Sequence, residues 1–114
     1  MAITSERYDV VRFQLSAQAD ADGVAGEYLG SGFTIVGYSV FGSNSGTPST
    51  ATIDIQEGGT DVATGLDIAT PGYFALTSPV TISAETALEI DVNFTGGTSP
   101  AFTGSISLHG LLGS

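Results

Sequence analysis

His109 and a set of carboxylates are the only side chains in this sequence that could exchange protons near neutral pH, because the chain has no cysteine and no lysine. Nucleophilic catalysis needs a nucleophile and a base within hydrogen-bond reach. His109 falls in an alternating stretch, on the side expected to face solvent, so a structural or incidental role is expected for it. Gly42-Ser-Asn-Ser-Gly46 comes nearest to a nucleophile elbow, but Asn44 stands where the serine belongs and no helix is expected after it. Asp54, Asp67, Glu89 and Asp91 could supply paired carboxylates for glycoside chemistry, yet each fits a water-facing position on a strand, and no tryptophan is present to line a cleft. Asp20-Ala-Asp22-Gly23 with Glu27 echoes a calcium loop but lacks a third ligand before Gly23 and the later glutamate spacing. No glycine-rich phosphate loop can end in lysine here. The expectation is therefore no catalytic, cofactor-binding or metal-binding residue, and no cofactor.

The elements that would hold these groups follow from composition. The 114 residues suit one domain, residues 1–114, with residues 1–7 as an N-terminal arm. Sixteen glycines, one methionine and abundant Thr, Val and Ile favour strands and tight turns over helices. Met1 to Asp9 shows neither a basic n-region nor an apolar h-region, so no secretory leader is expected, and the Asn93-Phe94-Thr95 sequon reads as chance. Gly, Ser and Thr interrupt every hydrophobic stretch well short of the ~20 residues that span a bilayer, so no membrane partner is expected. The formal charge of −10 would repel a phosphate backbone, so nucleic acid is not an expected partner either.

Period-2 alternation marks the strands. Val11, Phe13 and Leu15 share a face, as do Ala51, Ile53 and Ile55, then Leu88, Ile90, Val92 and Phe94, then Phe102, Ile106 and Leu108. Gly58-Gly59 predicts a two-residue hairpin turn into Thr60–Ile68. Pro79 predicts short or edge segments at Tyr73–Thr77 and Val80–Ile82. Residues 16–27, small and acidic, predict a loop, and Gly42–Pro48 predicts a loop tip. Phe33–Phe41 is apolar on both sides, Phe33, Ile35 and Phe41 against Val36, Tyr38 and Val40, which predicts a strand covered on two faces. About seven to eight short strands make an antiparallel β-sandwich, jelly-roll-like or immunoglobulin-like.

Charge is distributed unevenly along the chain. No Asp, Glu or Arg occurs from Tyr28 to Ile53, nor from Val92 to the end. Charge depletion marks interface cores. The candidate interface residues are Phe33, Ile35, Val36, Tyr38, Val40, Phe41, Phe102, Leu111 and Leu112.

The order of segments resembles the small decoration or head-fibre-type proteins of tailed bacteriophage virions. The likeness is carried by Val10-Val-Arg-Phe-Gln-Leu-Ser-Ala, Phe33-Thr-Ile-Val-Gly-Tyr-Ser-Val, Ala51-Thr-Ile-Asp-Ile-Gln-Glu-Gly-Gly-Thr-Asp-Val-Ala and Val80-Thr-Ile-Ser-Ala-Glu-Thr-Ala-Leu-Glu-Ile-Asp-Val. It implies a structural role on the capsid surface of a virion. The implied partners are the major capsid protein, the chain's own copies or both, with a homo-oligomer such as a trimer expected. The shortage of basic residues departs from that pattern. A carbohydrate- or receptor-binding module is the alternative, built on Tyr28, Tyr38, Tyr73 and Asn44.

Overall fold

The computed structural model describes residues 7–113. Eight antiparallel strands follow in chain order: β1 (Arg7–Gln18), β2 (Ala21–Leu29), β3 (Phe33–Ser45), β4 (Thr50–Glu57), β5 (Thr60–Asp67), β6 (Gly72–Ile82), β7 (Thr86–Thr95) and β8 (Ala101–Leu112). They form two four-stranded sheets, β1-β8-β3-β6 and β2-β7-β4-β5. β1 pairs with β8, β2 with β7, β3 with β6 and β4 with β5, so the chain is one long hairpin rolled up between two sheets. That topology is the jelly roll, which decides between the two sandwiches expected from sequence. No helix among the described residues is long and apolar enough to cross a membrane. Of the expected N-terminal arm, residues 1–6 lie outside the described residues, and Arg7 opens β1.

The tip of the rolled hairpin is Gly58-Gly59. Both glycines take positive φ, 58° and 88°, as a tight turn matching the twist of the flanking strands requires. The core lies between the sheets, where the alternating residues meet: Val11, Phe13 and Leu15 of β1, Phe102, Ile106 and Leu108 of β8, Ile53 and Ile55 of β4, and Leu88, Ile90 and Val92 of β7 are all buried. In β1, β4, β7 and β8 every second side chain enters the core, so there apolar burial and the period-2 pattern are the same fact.

Four local expectations are corrected. Residues 16–27 are strand rather than loop: β1 runs on to Gln18 and β2 begins at Ala21, with β7 as the template for a mostly exposed edge strand that needs few large apolar residues. β3 continues through Ser45, paired with β8 as far as Ala101, so the turn starts only at Gly46; small residues there still satisfy the backbone ladder. β3 is not covered on two faces. Its register shifts between Ile35 and Gly37, and this bulge swaps the inward parity, so Phe33, Ile35, Tyr38 and Val40 all point into one core. Asp91, expected in water, is buried with 3% of its surface exposed.

The edge reading of Pro79 agrees with the sheet order. β6 is the outer strand of its sheet, and its ladder to β3 jumps from Val80 opposite Ile35 to Ala75 opposite Gly37, leaving residues 76–79 outside the regular pairing.

Candidate functional site

The two charge-free segments meet in space. One contains β3 and the other contains β8, and these are adjacent central strands of the β1-β8-β3-β6 sheet. Charge is correspondingly segregated between the sheets. The β2-β7-β4-β5 sheet carries two carboxylates on each strand: Asp22 and Glu27, Glu89 and Asp91, Asp54 and Glu57, Asp61 and Asp67. The other sheet carries Asp9 alone, together with both arginines of the chain, Arg7 and Arg12, on β1. Asp9 alternates with the inward Val11, so among the described residues the outer face of this sheet bears no acid at all.

That outer face is built in rows. Arg12, Ser107, Ser39 and Tyr73 are successive cross-strand neighbours, and Val10, His109, Gly37 and Ala75 form the next row. His109 is held at both ring nitrogens: Nδ1 shares a hydrogen bond with the Tyr8 hydroxyl, and Nε2 lies 2.8 Å from Ser39 Oγ. Tyr73 meets the His109 ring edge-on, with centroids 5.2 Å apart, and the Tyr8 ring lies 5.9 Å away on the other side. Gly37 makes this possible, because a Cβ there would collide with the Tyr73 hydroxyl. The result is an aromatic ridge crossing all four strands, with Tyr8 58% and Tyr73 53% exposed. Phe41, 81% exposed, stands on the same face beside Ser105. Burial, and then the Arg12 charge, lower the His109 pKa, so the ring is neutral at pH 7.

The distance from Ser39 Oγ to His109 Nε2 meets the geometric test for a nucleophile and its base. Sequence reasoning missed the pair, since 70 residues separate its members and only the β3–β8 register joins them. An oxyanion hole is a further requirement. Ser39 lies on a strand laddered on both sides, to β6 and to β8, which commits the local main-chain donors to the sheet. Chemically, the arrangement fixes the orientation of three rings and offers hydroxyls, one guanidinium and aromatic edges to a partner.

The expected interface residues divide. Phe33, Ile35, Tyr38, Val40 and Phe102 are buried in the core and present no surface to a partner, the four on β3 because the bulge at Val36 turns both halves of that strand inward and Phe102 by the ordinary alternation of β8. Phe41 is exposed, Val36 and Leu111 are half-buried, and Leu112 packs partly against the core. Of the residues for the alternative module, Tyr38 is internal with its hydroxyl donating to the Asp67 carbonyl at 2.8 Å, Tyr28 is 81% exposed on β2, and Tyr73 and Asn44 lie on different strands of the first sheet. The described contacts do not join them into one site.

Two other places could hold a small ligand. Asp54, Asp61 and Asp91 bring one carboxylate oxygen each within 4.8 Å of one another, a spacing a hard cation such as Ca²⁺ could bridge. Their known partners are protein donors: Gly65 N–H and Asn93 Nδ2 on Asp54, Gln56 Nε2 on Asp61, and Gly23 N–H on Asp91 at 2.7 Å. Asp20 accepts from the Phe94 amide, so the acidic segment expected not to bind calcium is tied into a turn and an edge strand. At the far end of the sandwich a cleft of about 360 Å³ lies among Gly42, Asn44, Pro48, Ala51 and Pro71. Asn44 Nδ2 donates to the Ile68 carbonyl, while its buried Oδ1 has no partner.

Comparison with protein-family models, curated proteins and solved structures finds no match to this chain.

Proposed function

We propose that this chain is a structural, adhesive jelly-roll protein of a virion surface, which binds the major capsid protein, its own copies or both through the outer face of the β1-β8-β3-β6 sheet. The observation that carries the reading is the segregation of charge: a chain with twelve acidic residues keeps one whole sheet face free of them. Interfaces are depleted in Asp, Glu and Lys and enriched in aromatic residues and Arg, which describes the Tyr8, Arg12, Phe41, Tyr73 and His109 surface. The acidic sheet would then face solvent and keep the particles apart. Many copies on one lattice compensate for modest single contacts.

Co-sedimentation with assembled phage capsids tests this. Wild type should pellet with capsids, Tyr73→Ala and Phe41→Ala should bind several-fold more weakly, and Glu89→Gln on the opposite sheet should bind like wild type. Equal binding by all four proteins would remove this face as the adhesive one, and no capsid binding by wild type together with a monomer at every concentration would remove the proposal.

A second reading rests on the exposed ridge of Tyr8, His109 and Tyr73, which could stack on a sugar ring with Ser39 and Arg12 as hydrogen-bonding neighbours. A glycan array separates it from capsid adhesion.

A further inference from the structure

A jelly roll of two four-stranded sheets leaves four strand edges, and unpaired edges are normally blunted by proline, bulges or charge. Three are blunted here. β6 has residues 76–79, Pro79 among them, outside its ladder, β5 has shifted register and Asp61 and Asp67, and β2 has shifted register with Asp22 and Glu27. β1 also carries charge, in Arg7, Asp9 and Arg12, but of both signs, and it differs in register: Arg7 through Leu15 pair with β8 without a break, with no proline, glycine or bulge until the shift beyond Leu15.

The direction in which the free backbone groups point follows from the ladder. The Gly113 amide donates to the Gly32 carbonyl, so odd-numbered residues of β8 turn their backbone groups to β3, and even-numbered ones turn theirs to the odd-numbered residues of β1 they pair with; the Val10 amide, in keeping, donates to Asp9 Oδ1 at 2.8 Å. Alternation along a strand then turns the N–H and C=O groups of Tyr8, Val10, Arg12 and Gln14 toward the open edge. We infer that this edge pairs antiparallel with β1 of a second copy about a two-fold axis at Val10, joining two acid-free faces into one eight-stranded sheet.

The register follows from charge. A two-fold pairing centred on Asp9 sets two carboxylates opposite each other, and one centred on Arg12 sets two guanidinium groups opposite each other, both unfavourable. Centring on Val11 leaves Arg12 opposite the partner's Val10 and Tyr8 opposite the partner's Gln14. Centring on Val10 puts each Arg12 opposite the Tyr8 of the other copy, where a guanidinium can lie over the ring. The two Val10 residues then exchange both backbone hydrogen bonds, and each amide leaves the Asp9 carboxylate for a carbonyl. β2 adjoins β1 in the facing sheet and brings Asp22 and Glu27 of both copies nearer, so pairing strengthens as salt is added.

The pairing deepens the self-association part of the proposed function, and purified protein without capsids tests it separately. The chain has no native cysteine. Val10→Cys should form a disulfide-linked dimer rapidly on mild oxidation, since paired Cα atoms about 5.5 Å apart suit a disulfide. Tyr8→Cys, set apart from its symmetry mate by four residues of strand, should not. Sedimentation should give wild type the mass of a dimer. Val10→Pro should be monomeric with unchanged circular dichroism, because Pro there removes an N–H that β8 does not use. A wild-type monomer up to millimolar concentration, a trimer mass, or a Val10→Pro dimer overturns the pairing. If such a monomer still binds capsids, the adhesive role survives without it.

Discussion

Asp54 of β4 and Asp91 of β7 stand directly opposite each other in the ladder, two carboxylates paired across neighbouring strands. Like charges in that relation destabilise a sheet. Burial, first, and then Asp22, Asp61 and Asp54, raise the Asp91 pKa, while the Gly23 amide acts the other way.

Asp91→Asn should therefore stabilise the protein at pH 7, by up to about 1 kcal/mol or roughly 4 °C in Tm. The amide oxygen can still accept from Gly23 N–H. The sign follows from linkage: a folded pKa above the unfolded value makes the ionised form a cost to the fold. That cost is complete above the folded pKa and absent below the unfolded value of 3.8. Thermal melts of both proteins at pH 7 and pH 3 check it, and a variant less stable than wild type at pH 7 would contradict it.

The His109 pKa is shifted the opposite way for its type, lowered by burial and by Arg12. Above the unfolded value of 6.5 its protonation does not affect stability; below it, the unfolded chain takes up the proton more readily and the fold loses stability. Wild type should lose more stability than His109→Gln between pH 7.5 and pH 5.5 in urea titrations. Parallel losses would show that the ring between Tyr8, Ser39 and Tyr73 does not resist protonation.

Gly104 lies opposite Gly42 where β8 crosses β3, with φ of 144°. A Cβ at Gly104 would sit 2.6 Å from the Gly42 Cα and closer still to the Phe41 carbonyl oxygen. Gly104→Ala should cost more than about 2 kcal/mol. Gly59→Ala, at a left-handed turn position with open space around it, should cost only about 1 kcal/mol. Chemical denaturation ranks them, and equal losses would refute the close-approach argument.

Gly37→Ala should push Tyr73 off the His109 edge while leaving the fold nearly intact, because Gly37 has no positive φ and the obstructing atoms are the end of one side chain plus the Phe74 carbonyl at 3.0 Å. Loss of the ring contact is worth about 1 kcal/mol, or roughly fivefold in affinity for a partner that reads the ridge. Aromatic ring shifts in an NMR spectrum report the displacement, and unchanged shifts would count against it.

The parts legible in the sequence are those with an uninterrupted period. Leu88, Ile90 and Val92 announce their inward face, Gly58-Gly59 announces the hairpin tip, and Pro79 announces an edge, because each signal is local. β3 misleads for a physical reason: one extra residue at the Val36 bulge makes a one-sided strand read as two-sided, so core residues such as Phe33 and Tyr38 look like interface. β2 is hidden because an exposed edge needs little apolar periodicity. Asp91 alternates like a surface residue, and the partner its carboxylate meets, the β2 amide of Gly23, arrives from 68 residues away. The acid-free face was half visible, as two charge-free segments. Their adjacency depends on β8 lying between β1 and β3, a long-range arrangement that no window of sequence contains.

That arrangement also governs when the molecule can fold. β8 is last in chain order, yet it is the strand that joins β1 to β3. A nascent chain emerging from the ribosome can close the β4–β5 hairpin early, but its first and third strands have nothing to bridge them until the eighth appears. Assembly is thus postponed to the end of translation of this domain and proceeds slowly, on the millisecond-to-second scale of folds dominated by distant pairings.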